Sequence, residues 1–168
     1  VKVLDEYTTL TTAQRGHILS SAYGTRPNHR ERGVTIVSSV TGRAGKVLIL
    51  QVDLSSGRVE KLDLDKGMRE KYLGGRGVNS RLLYDNVGTE TDALSPGNVL
   101  IFGTGIFGGT GVPSSSLMSV SGKSPYCVFG YSTVGGYFPP ELRKAGYDHI
   151  IVKGKAEKPV FIWIDDDK

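Results

Sequence analysis

Cysteine is nearly missing from this sequence, with Cys127 the only one in 168 residues. A single thiol cannot close an internal disulfide, and by itself it cannot hold a zinc ion or an iron–sulfur cluster, each of which needs several such ligands. Long apolar runs are missing too. No window approaches the roughly 18 apolar residues of a membrane span, and the opening residues lack the basic-then-apolar order of a signal peptide. The expectation is a cytoplasmic chain with no place in a membrane. Acidic residues vanish from one long stretch: none occurs between Asp92 and Glu141, where Lys123 is the only formal charge. Exposed faces ordinarily carry Asp, Glu, Lys and Arg. This stretch is therefore expected to be packed inside the molecule or covered by a ligand or partner.

What is present suits one ordinary soluble domain, with 38% hydrophobic and 23% charged residues. The net charge of +4 is concentrated at the start, where Lys2, Arg15, Arg26, Arg30, Arg32, Arg43 and Lys46 outnumber Asp5, Glu6 and Glu31. A basic arm can touch nucleic acid, but these arginines lie among Thr, Ser and Gly without interleaved aromatics or a motif. Residues 1–45 are expected to form a solvated, poorly ordered extension, with a short helix opening at Thr11 and Gln14 and a strand over Gly33–Val40. Asp165, Asp166 and Asp167 read as a solvated acidic run.

From Lys46 onward the elements are legible. Val47–Val52 and Arg58–Leu64 are strand-like runs joined by Ser55-Ser56-Gly57, a hairpin signal. Asp65 can cap a helix reaching Tyr72, with Gly74 or Gly75 to end it, and a second helix places Val78, Leu82 and Leu83 on one face. Val99–Phe102, Leu117–Ser121 and Cys127–Tyr131 are expected strands, and Pro139–Ala145 a helix with Pro at its start. His149–Val152 and Val160–Ile164 are expected to pair as a second hairpin. The fold class is α+β, with mostly antiparallel β-sheets and a few short helices.

Two familiar motifs come close and fail. Gly103-Thr104-Gly105-Ile106-Phe107-Gly108 fits the dinucleotide fingerprint and follows a strand, yet it runs into Gly109, Gly111 and Pro113 instead of a helix and meets no acidic residue downstream. Gly122-Lys123-Ser124 resembles the end of a phosphate loop, but Leu117 stands where that loop needs Gly, and Pro125 disfavours its helix. The glycines at 103, 105, 108, 109, 111, 135 and 136 could still present main-chain N–H groups to phosphates. No nucleophile elbow surrounds Ser114, Ser115 or Ser116, and His149 reads as a structural histidine.

The sequence resembles the amino-terminal domain of the aldehyde ferredoxin oxidoreductase family. The likeness rests on an ordered series: Asp53-Leu54-Ser55-Ser56-Gly57, Tyr72-Leu73-Gly74-Gly75-Arg76-Gly77, Leu94-Ser95-Pro96, Gly109-Thr110, Pro113, Lys123-Ser124-Pro125, Gly135-Gly136-Tyr137-Phe138, Glu141-Leu142, Ala145-Gly146-Tyr147-Asp148 and Gly154-Lys155 to Pro159. It covers residues 46–168 and leaves 1–45 without a counterpart. The resemblance implies two antiparallel sheets forming a base beneath a tungsten or molybdenum ion held by two pterin dithiolenes, with magnesium bridging their phosphates. It also implies oxidation of aldehydes to carboxylic acids with ferredoxin as acceptor. The 4Fe-4S cluster of such enzymes belongs to later domains, in the same full-length chain or a separate subunit, so this chain alone is expected to be inactive, with no catalytic or metal-ligating residue of its own. Val1 in place of Met and an end at Lys168 suit a truncated or split gene.

Cofactor contacts are implied at Ser114, Ser115, Ser116 and Leu117, and at Thr133, Val134, Gly135 and Gly136. At Leu117, eight residues before Pro125, the family places an arginine that contacts the pterins, and leucine cannot reproduce its forked hydrogen bonds. Near Gly135 the chain is one residue shorter, with Thr133 or Val134 where an asparagine offers its carbonyl to magnesium. Two other readings stay open: a non-catalytic orphan domain of the same fold, and a nucleotide or nucleic-acid binding module.

Overall fold

The computed structural model describes residues 2–4, 47–126 and 128–164. The helix expected after Thr11, the strand over Gly33–Val40, Cys127 and the Asp165–Asp167 run lie outside the described residues. Eight strands and three helices are found among those described: β1 (Lys2–Leu4), β2 (Leu48–Asp53), β3 (Arg58–Asp63), α1 (Lys66–Tyr72), α2 (Gly75–Asn86), β4 (Val99–Thr104), β5 (Met118–Gly122), β6 (Gly130–Val134), α3 (Phe138–Lys144), β7 (His149–Lys153) and β8 (Phe161–Trp163). No described helix is long and apolar enough to cross a membrane.

Six strands form one sheet in the order β3-β2-β7-β4-β5-β6, and β1 pairs with β8 in a separate two-stranded sheet. The β2–β3 hairpin forms as its sequence predicts. Asp53 Oδ1 accepts from the N–H groups of Ser55 and Ser56 at 2.9 and 3.3 Å, which bends the chain where the local side chain competes with the ladder. The expected hairpin between 149–152 and 160–164 does not form. β7 instead inserts between β2 and β4, parallel to β2 and antiparallel to β4, while β8 turns away to antiparallel β1. The reason is burial: Ile150 and Ile151 are almost wholly inaccessible, and a two-stranded hairpin could not cover both of their faces. β6 also begins later than expected, at Gly130.

Alternation along the central strands divides their side chains between two cores. On one face Ile49, Ile101 and Ile151 pack under Val78, Leu82 and Leu83 of α2. On the other Leu50, Val52 and Ile150 meet Leu142 of α3 and Tyr147, with Ile162 of β8 beside them. α1 is capped as anticipated, Asp65 Oδ2 accepting from Met68 N–H at 3.1 Å, but its end differs. The chain turns at Leu73, one residue before the expected glycines: with φ 64° and ψ −71° it makes a tight turn in which Gly74 N–H donates to Tyr72 O at 2.9 Å. The two glycines that follow meet constraints of their own: a Cβ on Gly74 would come 3.2 Å from Ile106 Cγ2, and Gly75 takes a φ of +51°.

Candidate functional site

Four segments converge at one end of the sheet: the end of β4, the loop 105–117, the end of β6 and the start of α2. Beneath them lies a buried polar knot. Asn79, on the sheet side of α2 and fully buried, donates through Nδ2 to Ile101 O at 3.2 Å, Ser119 O at 3.0 Å and Ser121 Oγ at 3.2 Å. Those bonds orient its amide, so Oδ1 accepts from His149 Nδ1–H at 3.0 Å. Burial, aided by repulsion from Arg143, lowers the His149 pKa to about 4, so the ring is neutral at pH 7. Gly103 is required here, since a Cβ would collide with both Asn79 Oδ1 and His149 Nδ1. The first glycine of the apparent dinucleotide fingerprint thus serves helix-to-sheet packing.

The loop after β4 is pinned from below. Arg143 Nη1 donates to Gly105 O at 3.1 Å and Ile106 O at 3.3 Å, and pairs with Asp148 Oδ1 at 3.2 Å. Asp148 in turn accepts from Leu48 N–H at 3.3 Å. Gly108 and Gly109 lie against the Arg143 side chain, within 3.7 and 3.3 Å for a built Cβ. These glycines line a packed turn rather than an open phosphate cradle.

The eight residues expected to contact a cofactor fall in two adjacent strips. Ser114, at φ 58°, and Ser116 flank Ser115, whose Oγ lies 2.8 Å from both Phe107 O and Val112 O. Ser115 is therefore occupied in holding the loop, as turn chemistry would have it. Leu117 is 57% exposed and leads directly into β5. Across the ladder Met118 pairs with Val134 and Ser119 with Thr133, so Thr133, Val134, Gly135 and Gly136 run beside Leu117. Its Cδ2 stands 3.2 Å from where a Cβ on Gly135 would be. Gly136, at φ +85° with open space around its Cα, leaves bare backbone there.

Two further residues shape this end. Asn79 sits in an otherwise apolar helix face, and only its buried carbonyl and hydroxyl partners reveal why an amide belongs there. Arg76, at the start of α2, stacks its guanidinium 4.5 Å above the Tyr131 ring. Among the described residues, no cluster of three His, Cys, Asp or Glu side chains could hold a metal ion.

The site is thus one bare corner of a six-stranded mixed sheet with helices on both faces. The family model "Aldehyde ferredoxin oxidoreductase, N-terminal domain" matches residues 49–168, and the chain belongs to that family. Over 121 residues it is 42% identical to the tungsten-containing aldehyde ferredoxin oxidoreductase of Pyrococcus furiosus, covering 70% of this chain and 20% of that protein. The WOR-like subunit of an aliphatic sulfonate oxidoreductase from the same organism is 35% identical over 124 residues, covering 71% and 19%. Among solved structures, the active-site complex BamBC of benzoyl coenzyme A reductase, bound to 1,5-dienoyl-CoA, superposes with a TM-score of 0.70 at 40% identity, covering 72% of this chain and 19% of that one. The chain thus spans about a fifth of the length of the curated relatives it matches.

Proposed function

We propose that residues 46–168 are the cofactor-supporting domain of a tungsten or molybdenum bis-pterin oxidoreductase, with residues 1–45 as an added extension. The reaction we assign to the complete enzyme is oxidation of aldehydes to carboxylic acids with ferredoxin as acceptor; the metal centre would supply the two-electron oxidation. The carrying observation is the corner made by Leu117, Thr133, Val134, Gly135 and Gly136, which is exposed, free of acidic residues and bare of side chains at Gly136.

That corner fits part of the cofactor. Backbone N–H groups near Gly135 and Gly136 and the Thr133 hydroxyl can meet phosphate oxygens, and a peptide carbonyl of Thr133 or Val134 can meet a magnesium ion. The absence of a carboxylate keeps repulsion of an anionic ligand low. With no described cluster of metal-binding side chains, the tungsten or molybdenum would be held by the pterin sulfurs themselves. Leu117 offers no fork to a phosphate, and that favours a second reading, a domain that keeps the fold without the cofactor.

Co-expression with the remaining domains of the Pyrococcus furiosus relative separates the two. Retained tungsten, together with slowed amide exchange over 114–117 and 133–136, supports the proposal. Unchanged exchange and no retained metal would leave the orphan domain as the better reading.

A further inference from the structure

Which charged group serves the bare corner can be read from the face of the sheet. Ser121 Oγ faces Asn79 of α2, and Tyr131 pairs directly opposite Ser121, so Tyr131 shares the α2 face. Thr133 is the next residue of β6 on that face, about 7 Å along the strand. Leu117 lies there by the same alternation from Ser119, and its contact with the Gly135 Cβ position agrees. Arg76 reaches onto this face from α2 and rests on Tyr131, which Phe129 steadies by ring stacking at a centroid distance of 6.1 Å.

The other cations nearby are committed. Arg143 is held by Asp148 and two loop carbonyls. Lys123 is bound to Gly88 O and Thr89 O at 3.2 and 2.6 Å. Arg76 has only the face of an exposed tyrosine, and among the described residues no carboxylate meets its guanidinium. Stacking on an exposed ring is a weak attachment, whereas a phosphate accepts two charge-assisted hydrogen bonds from the same fork.

We infer that Arg76 is an anion-binding residue of this corner: its guanidinium, resting on Tyr131, engages the phosphate of a pterin phosphate ester lying over Thr133, Gly135 and Leu117. This assignment rests on the cofactor-supporting reading above. It places the cation that Leu117 cannot supply on a neighbouring helix, on the same face of the sheet.

The test is titration of the purified chain with a 6-hydroxymethylpterin phosphate ester and, separately, with the unphosphorylated pterin, followed by calorimetry. Wild type, Arg76→Gln, Leu117→Arg and the double variant are compared after thermal melting has shown that each is folded. Arg76→Gln is expected to weaken the phosphate ester about tenfold or more and to leave the unphosphorylated pterin unchanged, with Leu117→Arg restoring affinity in the double variant. If Arg76→Gln binds the ester as wild type does while Leu117→Arg tightens it, the corner is a phosphate site and Arg76 is no part of it. Equal binding of both pterins by wild type would remove the phosphate from the assignment. If none of the four proteins binds the ester, the cofactor-supporting reading falls, and this inference with it.

Discussion

The middle of the sheet and its β6 edge are built from similar strands and treated oppositely. β2 and β7 are covered on both faces, Ile49 and Ile151 by α2 and Leu50 and Ile150 by Tyr147 and α3. β6, at the far edge, has Gly130 half-buried and the next four residues exposed. Eleven of the fourteen exposed large hydrophobic side chains among the described residues fall between Leu94 and Phe138, the stretch that holds no acidic residue. Sequence offered two explanations for that stretch, interior packing or a missing cover, and each holds for part of it. β4 and β5 are largely buried, with Leu100 an exception, whereas the loop before β5 and the strand after it are open. The core is completed around β2 and β7, and the β6 edge is left with an open surface.

The sharpest break of this comparison is a pair of truncations. Leu50→Ala removes a fully buried side chain and is expected to cost about 2–5 kcal/mol. Val134→Ala, at the exposed edge, is expected to stay within about 0.5 kcal/mol. Urea midpoints measure both. Similar losses from the two changes would mean that the β6 end is packed in solution and the contrast is false.

A smaller effect separates the two regions by acid. In the unfolded chain His149 protonates near the ordinary 6.5, and in the fold near 4. The unfolded state binds the extra proton between those values, so stability is fullest above pH 6.5 and falls as pH drops toward 4, with no further loss from this group below that. The whole effect is about 3 kcal/mol. His149→Gln should flatten this acid limb relative to wild type, because glutamine can still donate to Asn79 Oδ1 without titrating. An unchanged limb would show that His149 is not held neutral by the covered half. No comparable device exists among the described residues of β6.

Legibility followed the range of the interaction. The Asp53–Gly57 turn, the Asp65 cap, the apolar stripe of α2 and the Pro start of α3 depend on residues within a few positions of one another, and each could be read directly. The insertion of β7 beside β2 could not, because it joins segments about a hundred residues apart and is chosen by two-sided burial of Ile150 and Ile151. Asn79 escaped for the same reason, since its amide makes sense only through its partners in the fold, whereas His149 was read as structural and is so, buried against Asn79. The eight expected contact residues were brought together as two strips, yet Ser115 proved to be a loop tie. Arg76 was visible only as a letter of a family motif, and its placement over Tyr131 needed the sheet register.

The smallest expected effect concerns self-association, where it sharpens the contrast without touching the core. β6 is an edge strand with an exposed backbone and Tyr131 and Val134 open to solvent, and unpaired edges of this kind recruit other strands or apolar surfaces. The chain alone should therefore form weak dimers as its concentration rises, visible as a rising mass in sedimentation velocity. Ser132→Lys puts a charge on the outer strand, opposite Val120, where lysine disfavours edge pairing. Ser132 is exposed, so the substitution should change the melting temperature by no more than a degree or two, roughly the shift of a surface change below about 0.5 kcal/mol. It should nevertheless return the sedimenting species to monomer. A wild-type chain that stays monomeric at high concentration would show that this corner does not attract a cover by apolar contact, leaving charge and backbone hydrogen bonds as its means of recognition.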